Sequence, residues 1–147
     1  KQVVTYCIRN DIGTLIVGYN TTFQRSSDLG RQMNQVFVGI PFGILRRKLK
    51  YLCEMNGIRY VEQEESYTSM ASFWDLDEMP VYGEAGLVPP VFSGCRICRG
   101  LYQDRSGRRI NADVNGALNI MRKCNIVSLR ALYARGDVDT PVRIRIA

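Results

Sequence analysis

Three features of the sequence predict an α/β fold. Two short apolar, β-branched runs, "TLIVGYN" and "IRYVEQEE", flank a stretch with helical spacing, and further helical stretches open the chain and precede its tail. Strand, helix and strand in that order make a β-α-β unit, whose crossover helix packs on the sheet. The 147 residues suffice for one domain with a genuine core, and a hydrophobic content of 46% is that of a globular chain.

Residues 1–12, "KQVVTYCIRNDI", place Val3, Val4, Cys7 and Ile8 on one side of a short amphipathic helix, with Gly13 as its stop signal. "TLIVGYN", Thr14 to Asn20, is a buried strand closed by turn residues. Residues 21–40 are polar and rich in Ser, Gln, Asn and Arg, which predicts a long loop. Pro41 pre-sets the first turn of a helix in which Phe42, Leu45, Leu49 and Leu52 recur on one face, ending near Asn56–Gly57. "IRYVEQEE" then returns to strand. From Tyr67 to about Asn111, Pro80, Pro89, Pro90 and several glycines predict irregular structure. This segment is acidic in "DLDEMPVYGE", where Asp75, Asp77 and Glu78 form a solvated loop, and basic in "RICRGLYQDRSGRR". The next helix is predicted over Ala112 to Lys123, with Val114, Ala117, Leu118 and Met121 as its apolar stripe. The tail "TPVRIRIA" alternates like an edge strand with its arginines on one side.

Twenty Lys and Arg against 14 Asp and Glu give a net charge of +6. Such a balance suits a polyanionic partner, or solubility alone. No histidine is present, which excludes Ser-His-Asp and Cys-His nucleophile systems and imidazole bases. Chemistry therefore falls to carboxylates, a thiol or lysine, and carboxylates act most naturally by binding hard cations. Five scattered cysteines do not make a secreted disulfide framework, and reduced thiols fit better. No apolar run approaches a membrane span and no leader opens the chain, so a soluble, cytoplasmic protein is expected. Because the chain opens on Lys1, a processed form or fragment is expected.

Four groups of residues could carry function. Glu62, Glu64 and Glu65 crowd the end of the second predicted strand, where alternation sets Glu62 and Glu64 on one face and Glu65 on the other. They are either a solvated strand end or cation ligands at the carboxyl end of a strand, where open α/β sheets bind ligands. Asp113 lies in the first turn of the last helix behind Asn111, a plausible N-cap, and an acid there is also favoured by the helix dipole alone. Gly116 lowers helix propensity, as if close packing required it. Cys95 and Cys98 form one C-x-x-C, half of a zinc site, with Cys7, Cys53 and Cys124 on predicted helices facing the core. Arg96, Arg99, Arg105, Arg108 and Arg109 surround Tyr102, a set suited to phosphate contacts and base stacking. Arg46, Arg47, Lys48 and Lys50 on the middle helix add to the basic charge.

In this order, "GTLIVGYN", "VEQEESYTSMASFWD", "VYGE", "SGCRICRGLY" and "INADVNGALNI" resemble the C-terminal half of the OrfB/TnpB-like proteins of bacterial insertion sequences. The resemblance implies an RNase H-like, RuvC-type nuclease domain whose relatives are RNA-guided DNA endonucleases. It implies guide RNA and DNA as partners, contacted by the arginine-rich stretch, and Mg2+ as cofactor, with three carboxylates holding two ions that activate water and stabilise the leaving oxygen. The family's D-V-N aspartate matches Asp113. The middle acid resembles that of a subgroup in which the spacing E-x-x-T-S points to Glu65, with Glu64 as the alternative. The first catalytic aspartate belongs on a strand upstream, and Asp11 stands in the wrong context for it. Many members carry a four-cysteine zinc ribbon, of which only Cys95 and Cys98 stand here, so zinc is not expected. The implied organisation is a RuvC-type domain over 1–124, incomplete at its N-terminus and with an irregular insertion at about 67–110, followed by a tail over 125–147. The expected function is DNA cleavage in the intact protein and little or none by these residues alone. The alternative is a nucleic-acid-binding module without chemistry.

Overall fold

The computed structural model describes residues 1–20, 41–81, 90–126, 128, 129 and 132. The loop expected at 21–40 and the edge strand expected in the tail lie outside these residues. The chain forms two compact units, Lys1–Gln63 and Glu64–Ala147. Helices and sheets together make a mixed α/β architecture, as the sequence predicts.

The first unit holds helix α1 (Gln2–Arg9), strand β1 (Thr14–Tyr19), helix α2 (Phe42–Met55) and strand β2 (Arg59–Glu64), whose last residue opens the second unit. Its core is Val4, Cys7, Leu49, Cys53 and Ile58, with Leu15, Val17, Leu52 and Tyr60 packed at the margin. The apolar faces are narrower than the spacing predicts: Val3, Ile8 and Leu45 are exposed. Both helices close the same way. The side-chain amides of Asn10 and Asn56 donate to the carbonyls of Tyr6 (2.9 Å) and Leu52 (2.7 Å), satisfying acceptors that a helix end leaves over. Gly57, at φ 68°, then makes the left-handed turn that glycine adopts without strain. β1 and β2 are neighbours in one sheet, and the Arg59 N–H donates to the Gly13 carbonyl (2.9 Å). The two strands therefore start side by side, as a β-α-β crossover requires.

In the second unit, the segment expected to be irregular contains an antiparallel sheet of β3 (Cys95–Cys98), β4 (Leu101–Gln103) and β5 (Arg109–Asn111), in that order. Strands of three or four residues are too short for alternation to show in sequence. Their turns are set by Gly100 (φ 81°) and Gly107 (φ 87°), and by the Asp104 carboxylate, which accepts from Ser106 Oγ and the Arg108 N–H, both at 2.8 Å. Tyr102 and Ile110 pair in register and form a core with Phe73, Ala112 and Leu118, the last two from helix α3 (Ala112–Cys124).

Asn111 caps α3, its Oδ1 accepting from the N–H groups of Asp113 (2.9 Å) and Val114 (3.2 Å), and Asn125 ends it in the left-handed conformation. Of the expected stripe, Leu118 is buried, Val114 and Met121 pack at the margin and Ala117 is exposed. The largest fully buried side chains of α3 are instead two asparagines. Asn115 accepts from the Phe73 N–H (3.1 Å) and donates to the Ala71 carbonyl (2.9 Å), while Asn119 donates to the carbonyls of Ala71 (2.7 Å) and Thr68 (3.0 Å). The acidic stretch is not simply a solvated loop. Asp77 accepts from the N–H groups of Ser72 (2.8 Å) and Ser93 (2.9 Å) and from Ser93 Oγ (2.5 Å), and Asp75 accepts from the Arg105 N–H (2.9 Å).

Two outcomes are expected from urea unfolding followed by fluorescence of Trp74, the single tryptophan. Asn115→Ala strands buried backbone groups and should lower the stability of the second unit by about 1–3 kcal/mol. Two glycines of the second unit should respond with opposite signs. A Cβ at Gly94 would lie 2.5 Å from the Gln103 carbonyl oxygen, so Gly94→Ala should cost about 1–3 kcal/mol. A Cβ at Gly116 meets only ordinary contacts at 3.9 Å and 4.0 Å, so Gly116→Ala should gain about 0.5–1 kcal/mol.

Candidate functional site

Three glutamates leave β2 into three environments. Glu62 is exposed and accepts from Arg46 Nη1 (3.1 Å) and from the Tyr60 hydroxyl (3.0 Å). Burial of Tyr60, together with that bond, pushes its hydroxyl up to about 12. Glu64 ends the strand, with Oε2 2.5 Å from Lys123 Nζ and Oε1 2.6 Å from the Ser66 N–H. Partial burial opposes its ionisation, but the hydrogen bonds from Lys123 and Ser66 outweigh it and hold the carboxyl below its ordinary value. Glu65 lies beyond the strand, so the pleat does not direct it. It opens a turn in which its carbonyl accepts from the N–H (3.2 Å) and hydroxyl (2.9 Å) of Thr68. Its half-buried side chain has no ion-pair partner among the described residues, and burial, then the Glu64 charge, pushes its carboxyl up.

Asp113 is exposed in the first turn of α3, where the helix dipole favours a carboxylate. The same helix secures the chain that follows Glu65. Phe73 and Ala71 meet Asn115, Thr68 meets Asn119, and Ser66 and Glu64 meet Lys123. The segment thus descends α3 against the helix direction. Asp113 stands at one end and Lys123, ten residues or roughly 15 Å of rise away, at the other. Glu65 and Asp113 are carried on elements joined by direct hydrogen bonds, but Glu64 and Ser66, the chain neighbours of Glu65, are both held at the end of α3 remote from Asp113. Among the described residues no three Cys, Asp or Glu side chains cluster to hold a metal ion.

The five arginines expected to meet nucleic acid, Arg96, Arg99, Arg105, Arg108 and Arg109, are all exposed on the small sheet and its turns. The Arg108 guanidinium lies 4.6 Å over the Trp74 ring. Tyr102 corrects the expectation of a base-stacking ring: it is 1% exposed, donates to the Met70 carbonyl (2.9 Å) and is pushed up to about 12 by burial and then by nearby acids. Alternation in "RGLYQD" cannot show which face of so short a strand turns inward. A groove of about 350 Å³ beside Arg96 is lined by Met70, Phe92 and Cys95. A bulge between Arg96 and Cys98 shifts the pairing from Cys95–Gln103 to Cys98–Leu101, which puts both exposed thiols on one face of β3. Cys7 and Cys53 are buried in the first unit, and Cys124 is half-buried on α3.

The family model described as Cas12f1-like, TNB domain, matches residues 42–120, more than half of the chain. The chain belongs to that family. The match opens at the first residue of α2 and closes within α3, so it spans the glutamate-rich strand end, the arginine-bearing sheet and Asp113. It bears out the resemblance to the OrfB/TnpB-like proteins. No curated protein matches the chain. No helix among the described residues is long and apolar enough to cross a membrane.

Reasoning from apolar spacing misses Asn115, Asn119 and Lys123. The signal is a second period: Asn111, Asn115, Asn119 and Lys123 recur every four residues along α3.

The raised Glu65 carboxyl has a pH signature. Because its folded value lies above the ordinary 4.5, ionising it in the folded state costs stability, a cost present at neutral pH and lost as pH falls through the folded value. Glu65→Gln should therefore raise the urea midpoint at pH 7, and the gain should vanish below about pH 4.

Proposed function

We propose that the chain forms part of a RuvC-type, RNase H-like nuclease of the TnpB/Cas12 kind. In that reading it acts on DNA with a guide RNA as partner. The observation that carries it is the half-buried Glu65 carboxylate, with no ion-pair partner among the described residues, in the segment that α3 ties to itself. A hard divalent cation is the charge such an oxygen donor lacks, so Mg2+ fits the donor chemistry. Glu65 is the residue that would hold it, and Asp113, towards the other end of α3, is the second carboxylate that the resemblance implies. When bound, Mg2+ supplies an activated water and charge stabilisation of the leaving oxygen. The chain's own part is to fix these carboxylates through Asn111, Asn115 and Asn119 and to offer exposed arginines to phosphates. A third carboxylate comes from outside residues 1–147 in this reading, which leaves these residues alone without cleavage activity.

A second reading, a nucleic-acid-binding module without chemistry, is favoured by the wide spacing along α3 and by the five exposed arginines. One set of assays separates the two. Binding of labelled DNA and RNA by the chain should weaken with salt, and each of Arg99→Ala and Arg105→Ala should reduce the logarithmic salt slope by about one. In the intact protein, Glu65→Gln and Asp113→Ala should each lower Mg2+-dependent cleavage by at least about 100-fold while leaving binding in place. Unimpaired cleavage by both variants would establish the second reading. Robust Mg2+-dependent nicking by residues 1–147, abolished by Asp113→Ala, would overturn the claim that these residues are insufficient.

A further inference from the structure

Glu64 and Glu65 are adjacent, yet their surroundings differ in kind. Lys123 Nζ contacts Glu64 Oε2 at 2.5 Å, the Ser66 carbonyl at 3.2 Å and the Pro80 carbonyl at 3.4 Å. The Lys123 side chain is 11% exposed and that of Glu64 24%. With the Ser66 N–H on Oε1, both oxygens of Glu64 are engaged, one of them by a charge-assisted bond. A divalent ion could take Glu64 only by displacing that ammonium and leaving it enclosed without a counter-charge, which is costly. Neither constraint acts on Glu65.

We infer that Lys123 is a positioning residue that sequesters Glu64 and so makes Glu65 the carboxylate open to a divalent cation. The inference rests on the metal-binding reading above and adds to it the residue that decides between two neighbouring ligands. Lys123 also neutralises the nearest like charge, lowering the repulsion that a second ionised carboxylate beside Glu65 would add. Its place in the last turn of α3 suits a cation, because the helix dipole is negative there.

The test is Mn2+ titration of the 15N-labelled chain, read as paramagnetic broadening of backbone amides. In the unaltered chain, broadening should centre on the amides of Glu65 and Ser66. Glu65→Gln should weaken Mn2+ binding there by roughly tenfold or more, and Glu64→Gln by less than about twofold. With Lys123→Met the dependence should be shared: Glu65→Gln should no longer abolish the broadening, because Glu64 has become available. Lys123→Arg, which keeps the charge, should restore the original dependence, a switch that general loss of structure cannot produce. If Glu64→Gln abolishes binding and Glu65→Gln does not, the role of Lys123 is overturned while a metal site stands. If the unaltered chain shows no broadening in this segment, the metal-binding reading fails and the inference fails with it.

Discussion

The amide of Asn115 makes two hydrogen bonds to backbone that belongs to neither a strand nor a helix. It takes the N–H of Phe73 and gives to the carbonyl of Ala71, as a neighbouring strand would. Buried peptide groups need partners, and in the segment from Ser66 to Phe73 the carbonyls of Thr68 and Ala71 find theirs in the two asparagines. Without Asn115 and Asn119 this segment could not lie under α3, because its carbonyls would be desolvated with nothing to bind. Phe73 enters the core from this segment, and Tyr102 packs there with its hydroxyl on Met70, so the apolar core is assembled around a polar splice. The Asp77 carboxylate extends it, joining Ser72 to Ser93, while Arg122 donates to the Asp77 carbonyl.

This design explains what the sequence could and could not disclose. Regular elements of more than five residues were legible: α1, β1, α2, β2 and α3 all lie where periodicity puts them, and the Asn56–Gly57 stop and the Asn111 cap are local chemistry with local signals. The sheet of β3, β4 and β5 was not legible, since its strands are too short to display a period and its turns are made by Asp104, an acid that composition assigns to the surface. The inward face of Tyr102 was hidden for the same reason. In α3 the apolar pattern marked Leu118 correctly but passed over Asn115 and Asn119, because a buried asparagine is intelligible only once its backbone partners, more than forty residues away in sequence, are known.

The acidic strand end shows the same division. Apart from the E-x-x-T-S spacing that the resemblance supplies, sequence separates Glu64 from Glu65 by strand alternation, and the strand stops at Glu64, so alternation had no hold on Glu65. What distinguishes them is Lys123, 59 residues away from Glu64 in the chain. Three neighbouring carboxylates are tolerated because two of them carry their own cation, Arg46 for Glu62 and Lys123 for Glu64. The third is left with the cost of its own desolvation.

Helix α3 carries two kinds of information at two phases of one turn. Positions 112, 115, 116, 118 and 119 face inward, with Asn115, Leu118 and Asn119 holding the unit together, whereas 113 and 117 face out. A collection of loss-of-function alleles across this helix would therefore sort by angle rather than by position. Alleles on the inner phase would be conditional, recovering at low temperature, and in the metal-binding reading proposed above those at Asp113 would be insensitive to temperature. In that reading, genetic severity along these thirteen residues would oscillate with the pitch of the helix, and the phase of an allele would tell whether the fold or the proposed function had been lost.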